Sequence, residues 1–344
     1  MCRTRGDAEL QSTPVRGRRN SAEPPLDGNM ILMNENEISS DGSSLLVMSR
    51  HTFSSDFGLL SRLVTKERAV MRSLLTDKLR SGAGSASLGV LTTLVDIVTS
   101  SPALAACGQD WVATQDLTLH ATGWLTEGPI VIDTELVRIG KKMIHVSANV
   151  YDARGTTDLD DLVAALDAGA EDGPALAARA LVTFARLPRT AAPDADYYTP
   201  GEWVGIDREY PSSPVDGSIY ERLDMRTLDA AEGVLELDRT PFVANMIGTI
   251  QGGAQALLAE SAAHAMRPDL VPTDIQMHFL SQVRKGPAKS YGTVIRDSPD
   301  HSVISVRLVD AGADDQLLAL TTVTLQRPPA PDLRGESGSA HAIS

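Results

Sequence analysis

The stretch NMIGTIQGGAQALLAE, residues 245–260, is an irregular segment that ends in two glycines and runs on as a small, apolar helix with one acid, Glu260, inside it. A helix N-terminus presents N–H groups without partners in the helix, and its dipole favours negative charge. Gly252 and Gly253 carry no side chain, so a substrate oxygen can come within hydrogen-bonding distance of those N–H groups. The spacing recurs earlier in the chain. In GVLTTLVD, Asp96 stands seven positions after Gly89, as Glu260 stands seven after Gly253.

Around each helix the same succession of patterns is found, which makes the chain an internal repeat. The first half predicts a helix, GVLTTLVDIVTS, then strands near 111–120, 130–138, 143–151 and 177–187. The second predicts a helix, AQALLAESAAHAM, then strands near 273–280, 289–297, 302–310 and 317–326, with period-two alternation in VISVRLVD and ALTTVTLQ. Gly128-Pro129 and Gly286-Pro287 mark the same turn. One helix followed by antiparallel strands, twice, is an α+β plan and not a parallel βαβ sheet. The expected divisions are a disordered segment 1–55, a first domain 56–190, a proline-rich linker 191–215, a second domain 216–328 and a disordered tail 329–344. An added segment, DLDDLVAALDAGAEDGP, sets Leu159, Leu162, Val163 and Leu166 at helical spacing and reads as a packing insert.

The pattern Asn-x-x-Gly-x-x-Gln-Gly-Gly from Asn245 to Gly253, with an acid seven positions on, resembles the PaaI-like hotdog thioesterases. In that family the usual residue at the position of Gln251 is histidine. In the first half Ser81, Gly84, Ser87, Leu88 and Gly89 fall on the Asn, Gly, His, Gly and Gly positions. The resemblance covers roughly 82–187 and 223–326. It implies two tandem hotdog domains, each a helix wrapped by an antiparallel sheet, packed as a pseudo-dimer. It also implies hydrolysis of an acyl-CoA thioester without metal or cofactor, with the loop of one half facing the carboxylate of the other. Asp96, Gly252, Asn245 and Glu260 are then the candidate catalytic residues, and Gln251, Gly253, Gly89 and Ser281 the candidates for substrate binding. Ser281 falls where some relatives have a serine that helps hold water, with Ala121 as its expected counterpart.

Such a site has a plain chemical logic. Negative charge grows on a thioester carbonyl oxygen under attack, and helix N–H groups can receive it. A carboxylate in apolar surroundings can serve as general base for water or as a nucleophile.

Composition narrows the alternatives. The 344 residues are 42% hydrophobic, enough for two cores, and carry 31 Lys and Arg against 45 Asp and Glu. Five arginines lie in the first twenty residues, leaving the remainder more acidic, so nucleic acid is not expected as a partner. Lys141, Lys142, Arg284 or Lys285 could still meet the phosphates of coenzyme A. Cys2 and Cys107 form no disulfide framework, and the basic start has no apolar run behind it, which makes the cytoplasm the expected compartment. The apolar stretch 88–107 contains Asp96, at a cost of ~2.5–3.5 kcal/mol in a bilayer, and Ser100-Ser101-Pro102, so a buried helix is expected there and no membrane partner. His120, His264 and His278 stand alone and suggest no metal. The second reading is a non-catalytic acyl-CoA-binding or scaffold protein of the same fold. A hydratase would need its own His and acid pair, and a DNA-binding regulator a basic helix-turn-helix. A homo-oligomer of such double units is left open.

Overall fold

The computed structural model describes residues 37–38, 44–47, 52–189, 199–210 and 216–328. The chain begins with strands β1 (Glu37–Ile38), β2 (Ser44–Val47), β3 (Leu59–Thr65) and β4 (Arg68–Ser73), followed by helix α1 (Leu88–Cys107) and strand β5 (Trp111–Ala121). Next come β6 (Ile130–Ile139), β7 (Met143–Asp152), helix α2 (Leu159–Ala168) and β8 (Ala175–Leu187). After β9 (Asp207–Glu209) and helix α3 (Ile219–Leu223), the second half runs β10 (Arg226–Asp229), β11 (Val234–Leu237), α4 (Gly252–Met266), β12 (Val271–Phe279), β13 (Ala288–Ser298), β14 (His301–Asp310) and β15 (Gln316–Gln326).

The strands form one sheet in the order β1-β2-β9-β3-β4-β6-β7-β8-β5-β12-β15-β14-β13-β11-β10. Outward from the β5–β12 junction, each arm repeats the other: β5-β8-β7-β6-β4 on one side, β12-β15-β14-β13-β11 on the other. Each arm curves over its own helix, and α1 and α4 lie against each other. The expected pseudo-dimer is present.

At the junction Leu117 and Leu119 of β5 pair with Met277 and Ile275 of β12, and all four are at most 1% exposed. Strand alternation turns the residues between them to the other face. There His120 Nδ1 meets Asp274 Oδ1 at 3.0 Å, and His278 Nδ1 meets Asp116 Oδ1 at 2.5 Å. Two of the three histidines expected to stand alone, His120 and His278, therefore form reciprocal pairs across the halves. A constant offset of 158 residues relates Asp116 to Asp274, His120 to His278 and Asp152 to Asp310. Asp152 accepts the backbone N–H groups of Thr126, Glu127 and Gly128 ahead of the cis peptide to Pro129. Asp310 does the same for Arg284, Lys285 and Gly286 ahead of Pro287.

Several expectations need correction. Residues 37–38 and 44–47, expected to be disordered, are strands, while the rest of 1–51 lies outside the described residues, as do 190–198, 211–215 and 329–344. Phe53 and Phe57 are fully buried and meet edge to face at 5.1 Å, so the ordered first half begins before residue 56. The expected linker supplies β9, which lies parallel to β2 and antiparallel to β3. It can do so because Asp207, Arg208 and Glu209 contain no proline and sit near the end of the sheet. Hairpins β3–β4 and β10–β11, ahead of the two helices, were not foreseen; β10 is exposed throughout and has no buried face to pattern.

Helix α1 runs unbroken through Pro102, whose ring would ordinarily kink or end a helix. Burial compensates. Leu94, Val95 and Val98 are at most 1% exposed, each stabilising by ~1.5–3 kcal/mol, and the most apolar window of α1 is 72% buried within the fold. Helix α2 packs Leu159 and Leu162 onto Val70 and Val131, as a packing insert should.

Because β9 follows residues 190–198 yet pairs with β3, and β12 pairs with β5, the halves should hold together without a covalent link. Cleavage at a protease site engineered between residues 192 and 193 is expected to leave both fragments co-eluting at the intact size on native gel filtration. Separate elution would overturn this.

Candidate active site between the halves

The loop before α4 is organised from within. Asn245 Oδ1 accepts the N–H groups of Ile247 and Thr249 at 3.1 and 3.2 Å, and Gly248 N–H returns to the Asn245 carbonyl at 2.9 Å. Gly248 has φ +74, a left-handed conformation that favours glycine. Arg239 holds the Gly248 carbonyl from outside, and Thr249 Oγ1 accepts the Val283 N–H at 2.8 Å. Asn245, a candidate catalytic residue, thus has its side-chain oxygen committed to the loop. The first half keeps the same loop shape, with Ser81 in place of Asn245 and Gly84 at φ +80.

At the end of this loop Gln251 is the N-cap of α4, but its side chain caps nothing. The first intrahelical bond runs from Gln255 N–H to the Gln251 carbonyl, so the N–H groups of Gly252, Gly253 and Ala254 precede it. Asp96 comes to this end of α4 from α1. A Cβ on Gly252 would lie 2.7 Å from Asp96 Oδ2 and one on Gly253 2.5 Å from Thr93 Cγ2, so both glycines are required by close approach of the other half.

Asp96 Oδ1 accepts a hydrogen bond from Thr114 of β5 at 2.6 Å, the one hydrogen bond to this carboxylate among the described residues. Burial raises its pKa from 3.8 to about 6, against the opposing effect of Thr114. A cavity of about 310 Å³ opens here, with Asp96, Thr114, Gln251, Gly252, Gln255 and Ser281 in its wall. Gln255 is 3% exposed; its Nε2 donates to the Ile250 carbonyl, and its Oε1 has no partner among the described residues.

Ser281 therefore shares a wall with Asp96 of the other half and not with Glu260 of its own. Antiparallel pairing with β5 carries the far end of β12 toward Asp96. Its hydroxyl donates to the Leu317 carbonyl. The 158-residue offset makes its counterpart Gly123 and not Ala121.

The reciprocal position is built differently. Glu260, on α4, reaches the N-terminus of α1, and a Cβ on Gly89 would lie 2.5 Å from Glu260 Oε2. Burial raises the pKa of Glu260, while bonds from the Tyr220 hydroxyl and the Gly89 and Leu88 N–H groups oppose the rise. Tyr220, projecting from α3, donates to Glu260 Oε2 at 2.6 Å and lies 2.6 Å from Ser87 Oγ. Ser87 in turn accepts from the Val90 N–H, so the free donors of α1 are all engaged. The counterpart of Thr114 is Pro272, which offers no hydroxyl. A smaller cavity of about 150 Å³ lies nearby, walled by Leu88, Leu91 and Pro272, and Glu260 is not in its wall.

Thr114, Gln255 and Tyr220 carry no signal in the sequence that singles them out. Thr114 and Tyr220 lie outside the loop and helix pattern, and Gln255 is only a polar residue in an apolar helix.

No family model matches the sequence, and no curated protein matches it. Solved structures do match. A protein described as an oleoyl thioesterase from Lactobacillus plantarum superposes with a TM-score of 0.50 at 10% identity, covering 81% of this chain and 100% of that one. The tesB protein of Mycobacterium avium subsp. paratuberculosis gives 0.50 at 11% identity, over 80% and 98%. A 12:0-ACP thioesterase from Umbellularia californica gives 0.50 at 8%, over 76% and 94%. The chain adopts the tandem hotdog fold. At these identities the likeness establishes the architecture, and the chemistry has to be argued from the double hotdog's own residues.

Two outcomes are expected. Glu260→Ala, which strips a buried partner from Tyr220 and α1, should destabilise the protein by ~1–3 kcal/mol in chemical denaturation. Asp96 ionises near 3.8 when unfolded and near 6 when folded, so between these values the folded state holds the proton more tightly and stability falls as pH rises. Asp96→Asn, which keeps an acceptor for Thr114, should therefore raise the Tm at pH 7.5, with the gain shrinking as the pH approaches 4. An unchanged Tm at pH 7.5 would mean that the carboxylate is better solvated than its surroundings indicate.

Proposed function

We propose that the protein hydrolyses acyl-CoA thioesters at one of its two composite sites. The observation that carries this reading is Asp96 Oδ2 set against the uncapped N-terminus of α4 in an open cavity, while the reciprocal carboxylate is closed in by Tyr220 and the N–H groups of α1.

In this mechanism the thioester carbonyl oxygen points at the N–H groups of Gly252 and Gly253, where developing charge meets the helix dipole. Asp96, held through Oδ1 by Thr114, takes a proton from a water molecule as that water attacks the carbonyl carbon. The C–S bond then breaks, the thiolate leaves with the proton Asp96 received, and the acid is released. A pKa near 6 leaves the carboxylate ionised at neutral pH and basic enough to accept a proton. Exposed Arg284 and Lys285 follow Gln282 of the cavity wall, a place suited to the phosphates of the carrier. With a net charge of −14, free coenzyme A is favoured over an acidic carrier protein.

The test is thiol release across acyl-CoA thioesters from acetyl to long-chain and aromatic. Asp96→Asn should lower kcat by about a hundredfold or more, and so should Gly252→Pro, which removes an N–H and also crowds Asp96 Oδ2. Glu260→Gln should stay within a few-fold of wild type, and turnover should rise with pH through an apparent pKa near 6. Tight acyl-CoA binding without turnover would favour the binding-protein reading. Loss of turnover in folded Glu260→Gln alone would place the chemistry at the other terminus.

A further inference from the structure

The cavity beside Asp96 has a polar group in its wall that the hydrolysis described above does not use. Gln255, on α4, is 3% exposed; its Nε2 donates to the Ile250 carbonyl at 3.0 Å, and its Oε1 is a buried acceptor without a partner among the described residues. An amide oxygen taken out of water and left without a donor is costly, so in a cavity wall it favours a ligand that brings one. The fold does not require this group. Leu91 stands two residues after Gly89 as Gln255 stands two after Gly253, and Leu91 lines the smaller cavity near the start of α1, although the loop before that helix keeps the same shape. At one cavity the position is apolar, and at the other it is a hydrogen-bond acceptor.

The place of the acceptor limits the ligand. Residues three apart share a helix face, so Gln255 follows Gly252 on the side that Asp96 approaches, ~4.5 Å further along the axis. Its bond to Ile250, five residues back, folds the carboxamide toward the start of the helix. The terminal torsion of glutamine is broad, so Oε1 can turn to a donor in the cavity while Nε2 stays on Ile250. With the thioester oxygen on the Gly252 N–H, the acyl atoms within that reach are those next to the carbonyl. A hydroxyl there is a donor, and a plain hydrocarbon offers none.

We propose that the cavity selects acyl thioesters that carry a hydroxyl on the second or third carbon, and that Gln255 accepts the hydrogen bond from that hydroxyl. This rests on the hydrolase reading above and adds the substrate class. A site built to hydrogen-bond a substrate hydroxyl discriminates strongly against the analogue that lacks it, because the buried acceptor is then left bare. Gln255 touches the acyl group and not the reacting bond, so it governs specificity. A water molecule on Oε1 in place of the hydroxyl would serve every thioester alike, and that difference makes the two roles separable.

The experiment compares kcat/KM for 2-hydroxybutyryl-CoA and both enantiomers of 3-hydroxybutyryl-CoA with that for butyryl-CoA, in wild type and in Gln255→Met, which keeps the length of the side chain without its acceptor. Wild type should prefer the best hydroxylated thioester over butyryl-CoA by about tenfold or more. Gln255→Met should bring that ratio close to one. An equal loss on all four thioesters with the ratio unchanged would mean that Oε1 holds water or only supports the loop, and would overturn the proposal, as would a wild type that treats the hydroxylated and plain chains alike. If no thioester turns over, the hydrolase reading fails. Calorimetry of the same intact thioesters then decides the specificity: tighter binding of a hydroxylated one, lost in Gln255→Met, supports it, and equal binding overturns it. Should Gln255→Met not fold, Gln255→Leu, which carries the residue of the first half, takes its part, and if neither folds the wild-type ratio decides.

Discussion

Between β5 and β12 five residue pairs run antiparallel across the middle of the sheet, and their register determines where both helices sit. With Leu117, Leu119, Ile275 and Met277 interlocked beneath the ladder, α1 and α4 are laid side by side, and each helix N-terminus faces an acid of the other half. A one-residue slip would turn these apolar residues outward and part His120 from Asp274 and His278 from Asp116. The site is therefore a product of the junction, and neither half contains it alone.

The sequence revealed the repeat because its signals are local. Two glycines at a helix start, an acid seven positions on and period-two strands can all be read within a short window. What it hid were residues whose roles exist only after folding. Thr114 is one threonine in a strand until α1 brings Asp96 beside it, and Tyr220 lies in a short helix next to a segment that read as linker. Arg208 lies in a proline-rich segment that argued against a helix or a central strand, and only its pairing with β3 near the end of the sheet turns it into the cavity. The matching Asp-x-x-x-His segments, Asp116 to His120 and Asp274 to His278, were in plain view, but only the register shows that each histidine answers the other segment's aspartate.

The two helix starts illustrate a general constraint. The first N–H groups of a helix must find partners in side chains, water or a ligand. Around α1 the partners are internal: Ser87, Glu260 and, behind them, Tyr220. At α4 the N-cap is a glutamine that caps nothing, followed by two glycines, and the nearby acid is held back by a threonine on a neighbouring strand. The same backbone plan thus gives a sealed end and a receptive one, and the difference comes down to a few side chains.

The fusion of both halves into one polypeptide has an evolutionary consequence. In a symmetric homodimer every substitution is written twice, so a change that seals one pocket also seals its twin and the lineage loses the reaction. In a fused pair each copy mutates independently. Here Glu260 holds a tyrosine and the start of α1 where its counterpart Asp96 meets a threonine, and the position of Thr114 is proline in the other copy, so the two pockets differ in their walls without a symmetry-related partner to satisfy.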